Sequence, residues 1–297
     1  MKKVTCIGWA MVLGLAVMVK TAFAASPLVD VAWEKEHSCD SNVRVLQTSF
    51  VLSKADYLTG HIPCAVYTNY GKDGWRETLD DVRGMLPSAD KLETLIGSLG
   101  IDNDTHVVLY ASGDSASDLG TSTRVYWTFV TMSHDNVSVL NGGWKAYAAD
   151  ENNPVEKGEN TVAAKTFNAT FRPELQATKD QTAAASTSGG VLVNNLSDTS
   201  YLFRGTIPTS KSIPSTWFTS TGGVYRPVGE LEKIFAHVGV PTTGEQIFFC
   251  GSGHLATVGW FASYALMGNN EASMFDGSMT MWKLDTSLPV ETKISLK

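Results

Sequence analysis

Two kinds of apolar pattern alternate along the chain. Short continuous runs at Val43 to Thr48, Ala65 to Thr68, Val107 to Tyr110 and Val137 to Leu140 have the length and unbroken character of strands buried on both faces. Between them the period lengthens. Ser88 stands where a helix cap would, and Leu92, Leu95, Ile96 and Leu99 follow at helical spacing, predicting a helix over Ala89 to Leu99. Residues 123–132 predict another. Further on, Ile247 to Phe249 runs into Cys250, Gly251, Ser252 and Gly253, and then into an apolar stretch that predicts a helix over about Leu255 to Met267. Strands separated by helices imply a mainly parallel central sheet flanked by helices, an α/β fold.

The pattern occurs twice. "LGIDNDTHVVLYASGD" in the first half answers "VGVPTTGEQIFFCGSG" in the second, and aligning Gly100-Ile101 with Gly239-Val240 sets Ala111 opposite Cys250. "VSVLNGGWKAY" answers "ASMFDGSMTMWK", and "TGHIPCAVYTNY" answers "SKSIPSTWFTST". Landmarks recurring in one order at so long a period mark a duplicated domain and not a solenoid. The polar stretch over residues 151–180, with Asn152-Asn153-Pro154 and Arg172-Pro173, reads as a connection. The expected organisation is a signal peptide at 1–24, an N-terminal domain at 25–157, a linker at 158–180 and a C-terminal domain at 181–297.

Composition changes the picture mainly through compartment. Lys2 and Lys3, the apolar run from Val4 to Val19, and Ala22-Phe23-Ala24 have the layout of a secretory signal cleaved after Ala24. The run is short for a membrane span, and an uncleaved anchor is the competing reading. Cleavage would take away Cys6 with Lys2, Lys3 and Lys20, moving the formal charge from −7 to −10. An acidic chain without basic clusters is a poor nucleic-acid binder, and no membrane association is expected after cleavage. The expected location is the periplasm.

Three cysteines then remain: Cys39, Cys64 and Cys250. In an oxidising compartment an odd count leaves one thiol over. Cys39 and Cys64 lie close in sequence around one strand, so one reading pairs them and leaves Cys250; the other keeps three buried free thiols. The six histidines are scattered, without metal-type spacing among themselves or to cysteine, so no metal and no cofactor is expected.

In a parallel sheet, ligands sit off the carboxyl ends of the strands. Cys250 follows such a strand and precedes a helix. Gly251 and Gly253 let the backbone curl until several N–H groups converge, which makes an anion site and favours thiolate over thiol. Cys250 is thus placed to be a nucleophile, against the plainer reading of a buried, inert cysteine.

"YLTGHIPCAVYTNY", "VSVLNGGWKAY", "RGTIPTS" and "MFDGSMTMW" resemble recurring segments of tandem rhodanese-type sulfurtransferases, over nearly all of the chain after the signal. The resemblance implies two rhodanese-like domains, the first a degenerate copy and the second catalytic, which agrees with Ala111 opposite Cys250. The loop Cys250-Gly251-Ser252-Gly253 is similar to that of the 3-mercaptopyruvate branch, since it lacks the basic residues of thiosulfate-preferring loops. The implied chemistry is covalent: Cys250 takes a sulfane sulfur from a small donor as a persulfide, and a thiol or cyanide removes it. The implied substrate-binding groups are the loop residues Gly251, Ser252, Gly253, His254, Leu255 and Ala256, with Arg204 in "YLFRGTIPTS" as the family's substrate arginine.

The chain also departs from the family. The loop reads "CGSGHLA", with His254 and Leu255 in place of valine and threonine. Asn194 and Asn195 stand where a second substrate arginine is expected, "KSIPS" lacks the histidine usual before Ile-Pro, and Cys64 replaces a glycine. His254 is read either as orienting a substrate or as capping the loop. A phosphatase would need arginine six residues after the cysteine, where Ala256 stands. A weakly active persulfide carrier or binding protein is the alternative to an efficient enzyme, and a thioredoxin-like thiol is the expected partner on grounds of location alone.

Overall fold

The structure is a computed structural model that describes residues 25–220 and 223–295; the signal-peptide expectation therefore lies outside the described residues. In chain order the first half comprises β1 (Leu28–Val29), α1 (Val31–His37), β2 (Val43–Gln47), α2 (Lys54–Thr59), β3 (Val66–Tyr67), β4 (Glu77–Leu79), β5 (Val82–Met85), α3 (Ala89–Ser98), β6 (His106–Tyr110), α4 (Ala116–Thr131), β7 (Val137–Leu140) and α5 (Gly143–Tyr147). The second comprises α6 (Lys179–Ser188), β8 (Val191–Asn194), α7 (Asp198–Phe203), β9 (Lys211–Ser212), α8 (Val228–Val238), β10 (Gln246–Phe249), α9 (Ala256–Phe261), a π turn at Ala262–Leu266, β11 (Ala272–Met274) and α10 (Ser278–Leu284).

Each half builds its own sheet. Five strands run in the order β1-β7-β6-β2-β3 and four in the order β11-β10-β8-β9; every pairing within these two sheets is parallel. The continuous apolar runs are the central strands: Val107, Val108, Leu109 and Tyr110 are fully buried, as a strand with helices on both faces must be. β4 and β5 form a separate antiparallel hairpin whose turn places Asp80 and Asp81 at positive φ.

α4 is longer than the sequence pattern predicts, starting at Ala116 and not at residue 123. Ser115 caps it by accepting from the Asp118 N–H at 3.1 Å. Its first turns carry Gly120, Ser122 and Thr123 without an apolar stripe. Gly120 and Thr123 face the other half, where a Cβ on Gly120 would come within 2.8 Å of His254 and the Thr123 and Thr257 hydroxyls meet at 2.8 Å. The Ser122 hydroxyl lies 2.9 Å from that of Thr48 within its own half. The helix predicted over about Leu255 to Met267 is present as α9 and the π turn that continues it. α9 passes at Ala262 into that turn, where the Ser263 hydroxyl donates to buried Gln246 Oε1 at 2.8 Å.

α4 packs against α9, with Tyr126 edge-on to Phe261 at 4.7 Å, and one apolar core runs through both halves from Leu46 to Met274. Cys39 and Cys64 form a disulfide, Cα to Cα 5.3 Å, which fastens the segment after α1 to the chain entering β3. Between residue 151 and α6 the chain has no regular helix or strand apart from one 3₁₀ turn at Pro173–Leu175. No helix among the described residues is long and apolar enough to cross a membrane.

Candidate active site

β10 delivers Cys250 at its carboxyl end, as β6 delivers Ala111. The duplication persists at the level of single hydrogen bonds. The Ala111 and Ser112 carbonyls accept from the Trp144 and Lys145 N–H groups at 2.9 Å each, and the Cys250 and Gly251 carbonyls accept from Met279 and Thr280 at 3.1 and 2.9 Å. Gly143 (φ +58°) and Ser278 (φ +48°) occupy the same left-handed corner. The second half replaces the glycine with a hydroxyl that accepts from the Cys250 N–H at 3.0 Å and the Gly253 N–H at 3.1 Å, while donating to the Phe275 carbonyl at 2.9 Å. Ser278 therefore holds both ends of the cysteine turn.

Cys250 is free and only 2% exposed. Gly253 lies at φ +68°, and a Cβ there would come within 2.5 Å of the Asp276 carbonyl and 2.8 Å of the Arg124 guanidinium, so glycine is required on both counts. Among the described residues the N–H groups of Gly251, Ser252, His254 and Leu255 donate to no acceptor. Those of Cys250 and Gly253 are already taken by Ser278. Leu255 packs against the core, and Ala256 opens α9 fully buried.

The first half closes the loop from above. His254 is a strut: its Nε2 lies 2.8 Å from the Ser117 carbonyl, which can only accept, so Nε2 carries the proton and Nδ1 accepts from the Tyr70 hydroxyl at 2.8 Å. Burial, with Arg76 and Arg124 nearby, pushes the imidazole down to about 4, so it is neutral at pH 7. Burial raises the Tyr70 phenol, the two guanidiniums pull it back, and Cys250 adds to the rise, which places Tyr70 where cysteine, histidine and arginines meet. Arg124, fully buried, pairs with Asp276 at 2.5 Å, donates to the Gly253 carbonyl at 2.9 Å and lies over the Trp127 ring. Asp276 in turn accepts from the Leu86 N–H at 2.7 Å. Arg76 donates from Nε to the Gly84 carbonyl at 3.0 Å and from Nη2 to both the Ser252 carbonyl and, at 3.3 Å, the Ser252 hydroxyl.

Of the residues singled out in the sequence, Cys250 to Ala256 are thus together at one strand end. No hydrogen bond joins Arg204 to them: it ends α7, exposed, with its carbonyl accepting from Lys283 and no side-chain hydrogen bond or ion pair among the described residues. Asn194 and Asn195 are buried and bonded within their own half, to Thr206 and the Ile213 carbonyl, 2.8 Å in each case. Sequence reading missed Tyr70, Arg76, Arg124, Asp276 and Ser278. Tyr70, at the end of "TGHIPCAVYTNY", and Asp276 and Ser278, inside "FDGSM" opposite "LNGGW", lay in repeated segments; Arg76 and Arg124 carried no such signal and meet the loop across more than a hundred residues.

Two parallel sheets, one of them presenting a cysteine in a glycine-rich turn roofed by its duplicate, define a two-domain protein of rhodanese type. A rhodanese-like domain model matches residues 30–150, the half without Cys250. Thiosulfate sulfurtransferase of Rattus norvegicus is 30% identical over 86% of this chain and 89% of its own length. Thiosulfate/3-mercaptopyruvate sulfurtransferase 2 of Arabidopsis thaliana is 26% identical over 89% and 86%. Among solved structures, SseA from Escherichia coli superposes with a TM-score of 0.74 at 24% identity over 86% of this chain and 99% of its own. The chain belongs to the rhodanese family of sulfurtransferases.

Proposed function

We propose that the protein transfers a sulfane sulfur from a small anionic donor, thiosulfate or 3-mercaptopyruvate, through a Cys250 persulfide to a thiol or cyanide. The observation that carries this reading is the turn after β10, in which a free cysteine is followed by four backbone N–H groups that have no acceptor among the described residues. With thiosulfate, the Cys250 thiolate attacks the outer sulfur, the S–S bond breaks and sulfite leaves with the electron pair. With 3-mercaptopyruvate, the C–S bond breaks, the pair stays on carbon as the pyruvate enolate, and the thiol proton moves to it. Either route leaves Cys250–S–S⁻, whose terminal anion the N–H groups of Gly251, Ser252, His254 and Leu255 are free to solvate. The acceptor then takes the outer sulfur, and Cys250 recovers the pair as thiolate.

Two features favour the carboxylate donor. The loop itself carries no cation, since His254 is neutral at pH 7, and Arg124 is already neutralised by Asp276. The one guanidinium at the turn without a carboxylate partner among the described residues, Arg76, matches a single carboxylate and leaves the second charge of a dianion uncompensated. The disulfide supports an oxidising compartment, in keeping with secretion to the periplasm and with a small thiol or a thioredoxin-like protein as discharging partner. Steady-state assays of pyruvate release from 3-mercaptopyruvate and thiocyanate formation from thiosulfate plus cyanide, on wild type and Cys250→Ser, test the reading. Turnover that vanishes in the variant is expected. Wild-type turnover absent with both donors would leave a persulfide carrier or binding protein.

A further inference from the structure

Arg76 has no counterpart among the residues the sequence pointed to, yet it is the cation placed to act at the cysteine turn. Two guanidiniums reach that turn. The charge of Arg124 is spent on Asp276, both being at most 1% exposed. Arg76 has no carboxylate partner among the described residues; it bonds a serine hydroxyl and two carbonyls, from Ser252 and Gly84, and lies over the Tyr70 ring at 5.8 Å, while Nη1 has no hydrogen-bond partner among the described residues. The β4–β5 hairpin fixes it there: Arg76 immediately precedes β4, and its guanidinium bonds back across the hairpin to Gly84 on β5. Gly84 lies at φ +87°, and a Cβ at this position would overlap the Arg76 guanidinium, so the hairpin sequence makes room for that side chain. Ser252, which Arg76 touches, is two residues from Cys250. Arg204 makes no comparable contact.

We infer that Arg76, supplied by the N-terminal domain, is the residue that receives the anionic head of the sulfur donor over Cys250. The identity of that donor rests on the sulfurtransferase reading; the anion site does not. A guanidinium with one uncommitted edge suits a single carboxylate taken side-on. Such a head would exchange for the Ser252 contacts of Nη2 and leave Nε on Gly84 to hold the fork in place. This sets a donor bearing one carboxylate ahead of one bearing two charges on a single small head.

The test compares rates of Cys250 modification by a neutral and an anionic thiosulfonate, methyl methanethiosulfonate and 2-sulfonatoethyl methanethiosulfonate, followed by intact mass. Each reagent gives a mixed disulfide on Cys250 and releases methanesulfinate, so the chemistry is constant; the reagents differ in charge and size, and comparing their ratio between variants cancels the size. In Arg76→Gln the ratio of anionic to neutral rate should fall about ten- to a hundredfold, the range expected for one charge-assisted contact. Arg76→Lys should keep most of the ratio, and Arg83→Gln, an equal charge change at an exposed site on the same hairpin, should leave it unchanged. Equal slowing of both reagents in Arg76→Gln, or an equal fall in Arg83→Gln, would overturn the inference. With 3-mercaptopyruvate, Arg76→Gln should raise KM by a similar factor with a smaller change in kcat. If wild type turns over neither donor but the thiosulfonate ratio still falls in Arg76→Gln, the anion site stands and the sulfurtransferase reading fails.

Discussion

Ser278 adopts a backbone conformation that costs a side-chain-bearing residue about 1–2 kcal/mol. Its hydroxyl offsets that cost by accepting two N–H groups of the cysteine turn. Ser278→Gly relieves the backbone and orphans both donors, so it should lower stability by about 1–3 kcal/mol and slow persulfide loading. Ser278→Ala keeps the strain as well and should be the less stable of the two; urea denaturation of both variants checks the order. Glu34 in α1 is a second residue at odds with its surroundings: it is fully buried, neither carboxyl oxygen has a hydrogen-bond partner, and burial raises it to about 8 from 4.5. Between those values the folded chain keeps a proton that the unfolded chain has lost. Stability therefore falls as pH rises from 4.5 toward 8, by up to about 1.4 kcal/mol per pH unit, and levels off above. Against Glu34→Gln, which cannot titrate, wild type should lose ground across that window in melts at matched pH. An unchanging difference would mean that the carboxyl is solvated or paired.

At the scale of elements, legibility in the sequence tracked periodicity. The central strands and α3 were readable because burial on both faces, or on one stripe, leaves a regular apolar record. The first two turns of α4 were not, because Gly120 and Thr123 meet His254 and Thr257 and Ser122 meets Thr48, contacts that call for small or hydroxyl side chains and imitate a loop. The cysteine turn was legible from its glycines and its repeat partner. Its roof was not: Tyr70 and Arg76 come from the connection between β3 and β4 and Arg124 from α4, all in the other half, and no local pattern marks a residue for what it touches after folding. The disulfide works on the same roof, since the chain leaving Cys64 runs through β3 directly to Tyr70. The double variant Cys39→Ser/Cys64→Ser should lose about 2–4 kcal/mol, read by urea denaturation.

For the whole molecule, the site exists only because two domains share one core. Asp276 of the second half bonds the Leu86 N–H of the first, and Asn141 of the first bonds the Tyr225 N–H of the second at 2.9 Å, at matching places in the repeat. Arg124 and Asp276 are buried between the halves, so Arg124→Leu leaves a buried carboxylate without its cation and should cost about 3–5 kcal/mol. The halves should unfold together, in one transition seen alike by near- and far-ultraviolet circular dichroism; two separated transitions would show that the interface contributes little. The first domain, with Ala111 at the place of Cys250, supplies Tyr70, Arg76 and Arg124 and is the roof of the second domain's site.

The central claim is that Cys250 carries sulfur, and intact-protein mass tests it most directly. After brief exposure to 3-mercaptopyruvate, and separately to thiosulfate, wild type should gain the mass of one sulfur atom, lose it on addition of a thiol, and show no gain in Cys250→Ser. An unchanged wild-type mass with both donors, or an equal gain in Cys250→Ser, would contradict the account.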